Sequence, residues 1–424
     1  MKNMKCELFD FLDKSKTAYH AVDNIAKALS DAGYVRLYEN DVWELTAGGK
    51  YFVVRDGSSI IAFRNGGGPF MIGAAHSDSP AFRVKEVTGG RYARLDTEKY
   101  GGLIHYTWLD RPLALSGRAV VREGGAMQVK LVELDAAVVI PSLAIHLNRN
   151  INEGAKLSLT SDMIPLASTN GKEPKSLKSL VAESLGTDEG SVISHEIYLT
   201  AKDTPTAVGL GGELVLSPRL DDLSAVYALL KGMLLADDSV ENTPVLAVFD
   251  NEEVGSSTKQ GAASDFLYDT LVRIAGSDAA YRVRIADSFM VSADNAHACH
   301  PNHPELSDAA NAPLLGGGVV IKHNANQRYT TDAVSEAIFR EIALGAGVRV
   351  QNYFNRADQP GGSTLGSIAN TKVAVATVDI GIPQLAMHSA VETCAISDVA
   401  DTVAVAKKLY ESVLSHRADA LKLV

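Results

Sequence analysis

The segment "VLAVFDNEEVGS" (Val245 to Ser256) constrains the fold more than any other, because it carries an unbroken apolar run straight into three carboxylates, Asp250, Glu252 and Glu253. A short apolar run bounded by polar residues reads as a strand buried on both faces, the kind found inside a sheet covered by helices. Carboxylates crowded at its end repel one another and are costly to desolvate unless a cation, a proton or a hydrogen-bond network compensates them. The rest of the chain must supply both the covering helices and the compensation.

The helices are legible. Leu8, Phe9 and Leu12, then Ala21, Val22, Ile25, Ala28 and Leu29, recur at helical spacing, and Gly33 stands where a C-cap is expected. "KYFVVRD" and "SIIAFRN" read as a hairpin turned at Gly57 and Ser58, and "PFMIGAAHSDSP" as a buried strand ending in a polar loop. From Arg83 to Gly212 short alternating runs such as "RAVVREGGAMQVKLVEL" predict a mostly β insertion. Helix and strand then alternate again through "SPRLDDLSAVYALLKGMLLA", "TPVLAVFD", "AVSEAIFREIALGAG", "VRVQNYF", "KVAVATVDI" and "SDVADTVAVAKKLYESVL", the last with Ser397 as the expected N-cap. The expected fold class is α/β, with a central mixed, largely parallel sheet flanked by helices. Residues 1–82 and 213–424 form its two parts, and residues 83–212 form the β-rich insertion.

With 424 residues, 46% of them hydrophobic, the chain can bury a sizeable core, and two domains are expected. A formal charge of −11 argues against a nucleic-acid partner. Cys6, Cys299 and Cys394 are odd in number and widely spaced, which fits a reducing compartment and predicts a cytoplasmic protein. The first residues are charged throughout, unlike a signal peptide, and no run approaches the roughly 18 apolar residues of a membrane span.

In open α/β sheets functional residues collect on loops at the carboxyl ends of strands. Here such loops carry His76 and Asp78, Asp221 and Asp222, the "DNEE" run, Asp294 with His297 and His300, and His388 with Glu392. Taken singly, Asp221 reads as a helix N-cap and either histidine as a hydrogen-bonded structural residue. Taken together, two histidines and three carboxylates are what a pair of divalent cations needs, with one carboxylate bridging and positions left for water. Zinc suits this oxygen and nitrogen set, with cobalt and manganese still open. Adjacent Glu252 and Glu253 would point different ways, so that one binds metal while the other serves as general base in a hydrolysis.

The motifs "GAAHSDSP", "SPRLDDLSAVY", "DNEEVGS", "SADNAHACHPN" and "AMHSAVE", with "YGGLIHYTWLDRPLALSGRAV", "AIHLNR", "IKHNANQRY" and "FNRADQPGGSTLG", occur in the order and approximate spacing of one family. Over nearly its whole length the chain resembles the aspartyl aminopeptidases, a family of dinuclear zinc peptidases. The resemblance implies a zinc-peptidase-like fold and a metalloaminopeptidase that removes N-terminal Asp or Glu from peptides. It implies two zinc ions per subunit, one held by His76, Asp221 and Asp294, the other by Asp221, Glu253 and His388. Asp221 is then the bridge, Glu252 the general base acting on a bridging water, and Asp78 the partner that orients His76.

The same resemblance implies that Lys322, with Tyr329 beside it, receives the acidic side chain; without the motif, Lys322 reads as a surface lysine. It implies that the insertion serves dimerisation, that His146 reaches the active site of a neighbouring subunit, and that dimers build a homo-oligomer, a dodecamer. Departures such as "LDRPL" for the family's "FDRDL" touch no implied ligand and bear on the pocket instead. Two other readings remain open at this point. One is the same chemistry with a preference for neutral residues such as Leu; the other is a self-assembling scaffold without catalysis.

Overall fold

The apolar run before Asp250 is a strand, Thr243–Phe249, buried at every position. Its side chains alternate between two cores: Leu246 and Val248 face one, while Val245, Ala247 and Phe249 face the other. The computed structural model describes residues 2–239, 241–417 and 420–424. Among these the strand lies inside a nine-stranded sheet in the order Val35–Leu37, Lys50–Arg55, Ser59–Arg64, Thr243–Phe249, Phe70–His76, Phe289–Ala293, Ala376–Gly381, Val319–His323, Val350–Phe354. Five of its eight pairings are parallel and three antiparallel, the mixed, largely parallel sheet expected. The "KYFVVRD"/"SIIAFRN" hairpin accounts for one of the antiparallel pairs.

Helices cover both faces. Ala18–Asp31, Leu220–Leu235, Ala333–Gly345 and Ile396–Glu411 bury one core, and Phe266–Ala275, Asp278–Ala286 and Leu365–Ala369 the other. Gly33 ends its helix as expected: at φ +83° it lets Tyr34 N–H reach the Leu29 carbonyl and its own N–H reach that of Ser30. Ser397 does not act as an N-cap. The last helix begins one residue earlier, at Ile396, without a side-chain cap.

A six-stranded antiparallel sheet occupies the middle of the chain, in the order Ala126–Val138, Leu113–Glu123, Val192–Ala201, Ala81–Thr88, Ala93–Tyr100, Leu166–Ser168. Its longest hairpin turns on Gly124 and Gly125, both at positive φ, as a two-residue turn between right-twisted strands requires. Phe82, Trp108 and the helix Leu177–Ser184 contribute to a core of its own. A third sheet joins Thr206–Val208, Leu214–Ser217, Glu392–Ala395, Pro383–Leu385 and Ala296–His297. Its strands of two to four residues are too short for periodicity to reveal. Among the described residues no helix is long and apolar enough to cross a membrane.

Gly232 lets the two longest covering helices approach closely. A Cβ there would lie 2.5 Å from Ala406 Cβ and 2.7 Å from the Lys407 nitrogen. Gly232→Ala is expected to destabilise the fold by about 1–3 kcal/mol, the usual scale of overpacking, despite its better helix propensity. A lower thermal midpoint checks this; an unchanged or higher one would mean that the helices part without cost.

Candidate metal centre

Register brings the charged loops together. His76 is paired level with Phe249, and Ala293 with Ile380, so the loops that begin at Ser77, Asp250, Asp294 and Ile382 leave the sheet at one end. The candidate ligands therefore converge from separate stretches of the chain. His76, Asp221, Asp222 and Asp294 present ligand-type atoms within 4.8 Å of one another; so do Asp221, Glu253 and His388, and likewise His76, Glu252 and Glu253.

Asp221 stands between the two imidazoles, with Oδ1 3.5 Å from His76 Nε2 and Oδ2 3.5 Å from His388 Nε2. Glu253 Oε1 lies 3.3 Å from the same His388 nitrogen. Both rings are turned by backbone carbonyls: Asp78 O is 3.0 Å from His76 Nδ1, and Gly102 O is 2.8 Å from His388 Nδ1. A carbonyl only accepts, so Nδ1 carries the proton and Nε2 faces the carboxylates. Asp221 Oδ1, Asp222 Oδ1 and Glu253 Oε1 are buried and accept no hydrogen bond. Uncompensated buried carboxylate oxygens facing imidazole nitrogens are the donor set of a divalent cation, and the residues fit one.

Electrostatics agree. Burial, followed by repulsion from Asp294, Glu253 and Asp78, overcomes the opposing field of His76 and pushes Glu252 up to about 8. Burial and then Asp221 likewise push Glu392 up to about 8. His388 rises to about 11 because the carboxylates of Asp221 and Glu253 outweigh its burial. The third carboxylate of the opening motif stands apart: Asp250 accepts the Asn251 N–H at 2.7 Å, and burial followed by the neighbouring Asp78 raises it to about 7.

Asp78 reaches His76 chiefly through its carbonyl. Its carboxylate takes a different task, accepting the N–H groups of Glu252 at 3.1 Å and Glu253 at 3.2 Å and the Tyr100 hydroxyl at 2.6 Å. Glu392 holds the opposite side, its two oxygens accepting the Asp221 and His388 N–H groups at 2.9 and 2.7 Å. The sequence puts Glu392 beside His388 without indicating its task, and indicates none for Tyr100 or Gly102. Their partners lie far off along the chain, and only the "YGGLIHYTW" motif hints at them.

Lys322 is no surface lysine. It is buried with Nζ 3.4 Å from Asp294 Oδ1 and 5.3 Å from the Tyr329 ring centre. Burial works against its charge, but Asp294, Tyr329 and Asp379 raise its pKa and keep it an ammonium. His146 lies exposed on the loop after Ile140 and is absent from the described metal-ligand groups of its own chain.

Because Glu252, Glu392 and His388 all hold protons more tightly in the fold than unfolded carboxyls at about 4.3 and imidazoles at about 6.5, folding of the metal-free chain takes up protons. Stability from these groups is complete below the unfolded values and is lost as pH rises, through about 8 for the carboxyls and about 11 for His388. The chelated protein is expected to show a thermal midpoint that falls from about pH 6 to about pH 9, with a shallower slope once a divalent cation is restored. A flat profile in chelator would mean that the cluster is already compensated.

The chain matches the family described as "Aminopeptidase I zinc metalloprotease (M18)" over residues 11–410. It is 42% identical over 423 residues to a probable M18 family aminopeptidase 2 of Clostridium novyi (strain NT), covering 95% of this chain and 98% of that one. It is 37% identical over 451 residues to a probable aspartyl aminopeptidase of Ricinus communis, covering 93% and 92%. Among solved structures, Ape4 in its complex with Nbr1 superposes with a TM-score of 0.93 at 34% identity, covering 97% of this chain and 86% of that one. The S. cerevisiae mApe1 dodecamer gives 0.82 at 25% identity, covering 96% of each chain. With a zinc-compatible cluster on a matching α/β fold and a family match along nearly its full length, this chain belongs to the M18 family of zinc metalloaminopeptidases.

Proposed function

We propose that the chain removes N-terminal Asp or Glu from peptides at a dinuclear zinc centre. The observation that carries the dinuclear reading is Asp221, whose two oxygens face two different imidazoles at the same distance. His76, Asp221 and Asp294 would hold one ion, and Asp221, Glu253 and His388 the other. When bound, zinc supplies Lewis-acid polarisation of the scissile carbonyl and lowers the pKa of water beside it. Glu252, half-buried beside His76, takes the proton from the attacking water and returns it to the leaving nitrogen, so that the C–N bond breaks as the amine is protonated. Glu252→Gln keeps the shape and removes the base; kcat is expected to fall about 10²- to 10⁴-fold with zinc content unchanged.

The acidic preference rests on Lys322, a buried ammonium beside the cluster with an aromatic wall at Tyr329. A side-chain carboxylate of the substrate pairs with it, and the aspartyl aminopeptidase name of the Ricinus communis relative supports that reading. Lys322→Ala is expected to lower kcat/KM for an Asp-initiated peptide by about 10- to 100-fold, on the scale of a hydrogen bond to a charged group, and to leave a matched Leu-initiated peptide little changed. Wild-type protein that cleaves the Leu peptide as fast as the Asp peptide, with both reactions stopped by chelation, would keep the zinc chemistry and reject the acidic pocket.

The dodecamer of mApe1 supports the same assembly here, built from dimers. Residues 83–212 would be the dimerisation insertion between catalytic parts 1–82 and 213–424, and His146, exposed on that insertion, would enter the site of a neighbouring subunit. Three free cysteines suit a cytoplasmic protein.

A further inference from the structure

We propose that the segment from Tyr100 to Thr107 is a strap by which the β-rich sheet holds the metal centre in register, with the Tyr100 hydroxyl as its positioning group; this rests on the dinuclear reading above. The strap leaves the strand Ala93–Tyr100, which is hydrogen-bonded to Ala81–Thr88 in the six-stranded sheet. It runs past Glu253 and His388 and returns to the insertion's core at Trp108, which is buried and T-shaped to Phe82 with ring centres 5.3 Å apart. In between it touches both sides of the cluster.

On the glutamate side, the Tyr100 hydroxyl donates to Asp78 Oδ2 at 2.6 Å and accepts from Asn251 Nδ2 at 2.8 Å. One hydroxyl thus ties the loop after His76 to the loop that carries Glu252 and Glu253, whose N–H groups are held by the same Asp78 carboxylate. Gly101 follows at φ +74°, a conformation that favours glycine, and a Cβ there would crowd Glu253 Cβ at 3.2 Å. On the histidine side, Gly102 O is the acceptor that turns His388, the Ile104 N–H donates to His388 O at 3.0 Å, and Thr107 Oγ1 accepts the Ala390 N–H at 2.9 Å. His388 itself sits at φ +66°, a conformation that a non-glycine residue keeps only when its surroundings impose it.

No strap side chain belongs to the described groups that could hold a metal ion, so its effect is on ligand direction. Outer partners of this kind typically change metal affinity by about 10- to 100-fold when removed. Glu253 and His388 are the ligands assigned to one ion, so loss of the strap should weaken that ion selectively. Packing of the insertion and metal retention are then linked through one short segment.

The experiment is zinc retention by full-length protein against a chromophoric chelator, for wild type, Tyr100→Phe and Thr107→Val. Wild type should release two zinc ions per chain. Each variant should give up one of them about 10- to 100-fold more easily, with the chelated thermal midpoint unchanged and, for zinc-loaded Tyr100→Phe, a lower kcat at similar KM. Wild-type retention in Tyr100→Phe would overturn the proposal. So would a chelated midpoint that falls in parallel with retention, since that marks a residue of the general fold. Wild type that binds no zinc would instead overturn the dinuclear reading, and the strap with it.

Discussion

Everything at the working end of the molecule depends on how buried negative charge is compensated. Asp221, 2% exposed, faces two imidazoles but has an oxygen that no hydrogen bond satisfies, and half-buried Glu253, which faces His388, has another. Without a cation, burial makes Glu252 and Glu392 hold protons to about 8, while His388 and His76 keep Asp221 below the usual carboxylate range against its burial. A divalent cation removes the conflict without a proton. The cluster therefore costs stability in the empty protein and stabilises the fold when loaded, because binding to the native state alone shifts the folding equilibrium.

The sheet makes this possible with little disturbance elsewhere. Parallel strands send their carboxyl ends the same way, so four loops can meet while the strands below stay apolar on both faces. Glu392 and Asp78 then act as mirror-image anchors, each committing a carboxylate to two backbone N–H groups of the loops that carry the cluster. Two N–H groups tied to one side chain fix both loops at once, which suits loops that must hold positions such as His388 at positive φ. The β-rich sheet joins the arrangement through Tyr100 and Gly102, so it is packed into the centre rather than attached at a distance.

Much of this is legible in the sequence for simple reasons. Apolar runs such as "VLAVF" and "FMIGAA" mark doubly covered strands, and turn chemistry places the Gly124–Gly125 hairpin. The loops bearing His76, Asp221, Glu253, Asp294 and His388 stand out because charge at the end of a buried apolar run is costly unless a ligand or a hydrogen-bond network offsets it. Relations across the chain are not legible: that Asp78 serves the Glu252 turn more than His76, that Asp250 belongs to none of the described metal-ligand groups, and that the five-stranded sheet exists at all. These depend on register and on hydrogen bonds between residues far apart along the chain. Ser397 fails as a cap for a local reason: the strand Glu392–Ala395 runs directly into the helix at Ile396, leaving no extended residue at Ser397 to cap it.

The structure also separates two kinds of buried acid that a sequence writes with the same letter. Asp379 is fully buried close to Lys322, yet its oxygens accept from the Thr330 N–H, the Thr330 hydroxyl and the Thr364 hydroxyl. Asp398 is buried too, and takes the N–H groups of Gly316 and Gly318. Neutral donors satisfy both, so neither calls for a cation; their work is to hold loops. For Asp379 those loops are the one that follows Lys322 and the "FNRADQPGGST" segment, and the second approaches the first at Gly362, where a Cβ would lie 3.9 Å from the Tyr329 hydroxyl. Asp221 and Glu253 have imidazoles in place of such donors, and an imidazole can satisfy a carboxylate only by keeping a proton that a metal ion would displace. The presence of neutral donors around a buried carboxylate, rather than burial itself, therefore divides the acids that build this molecule from those that await an ion.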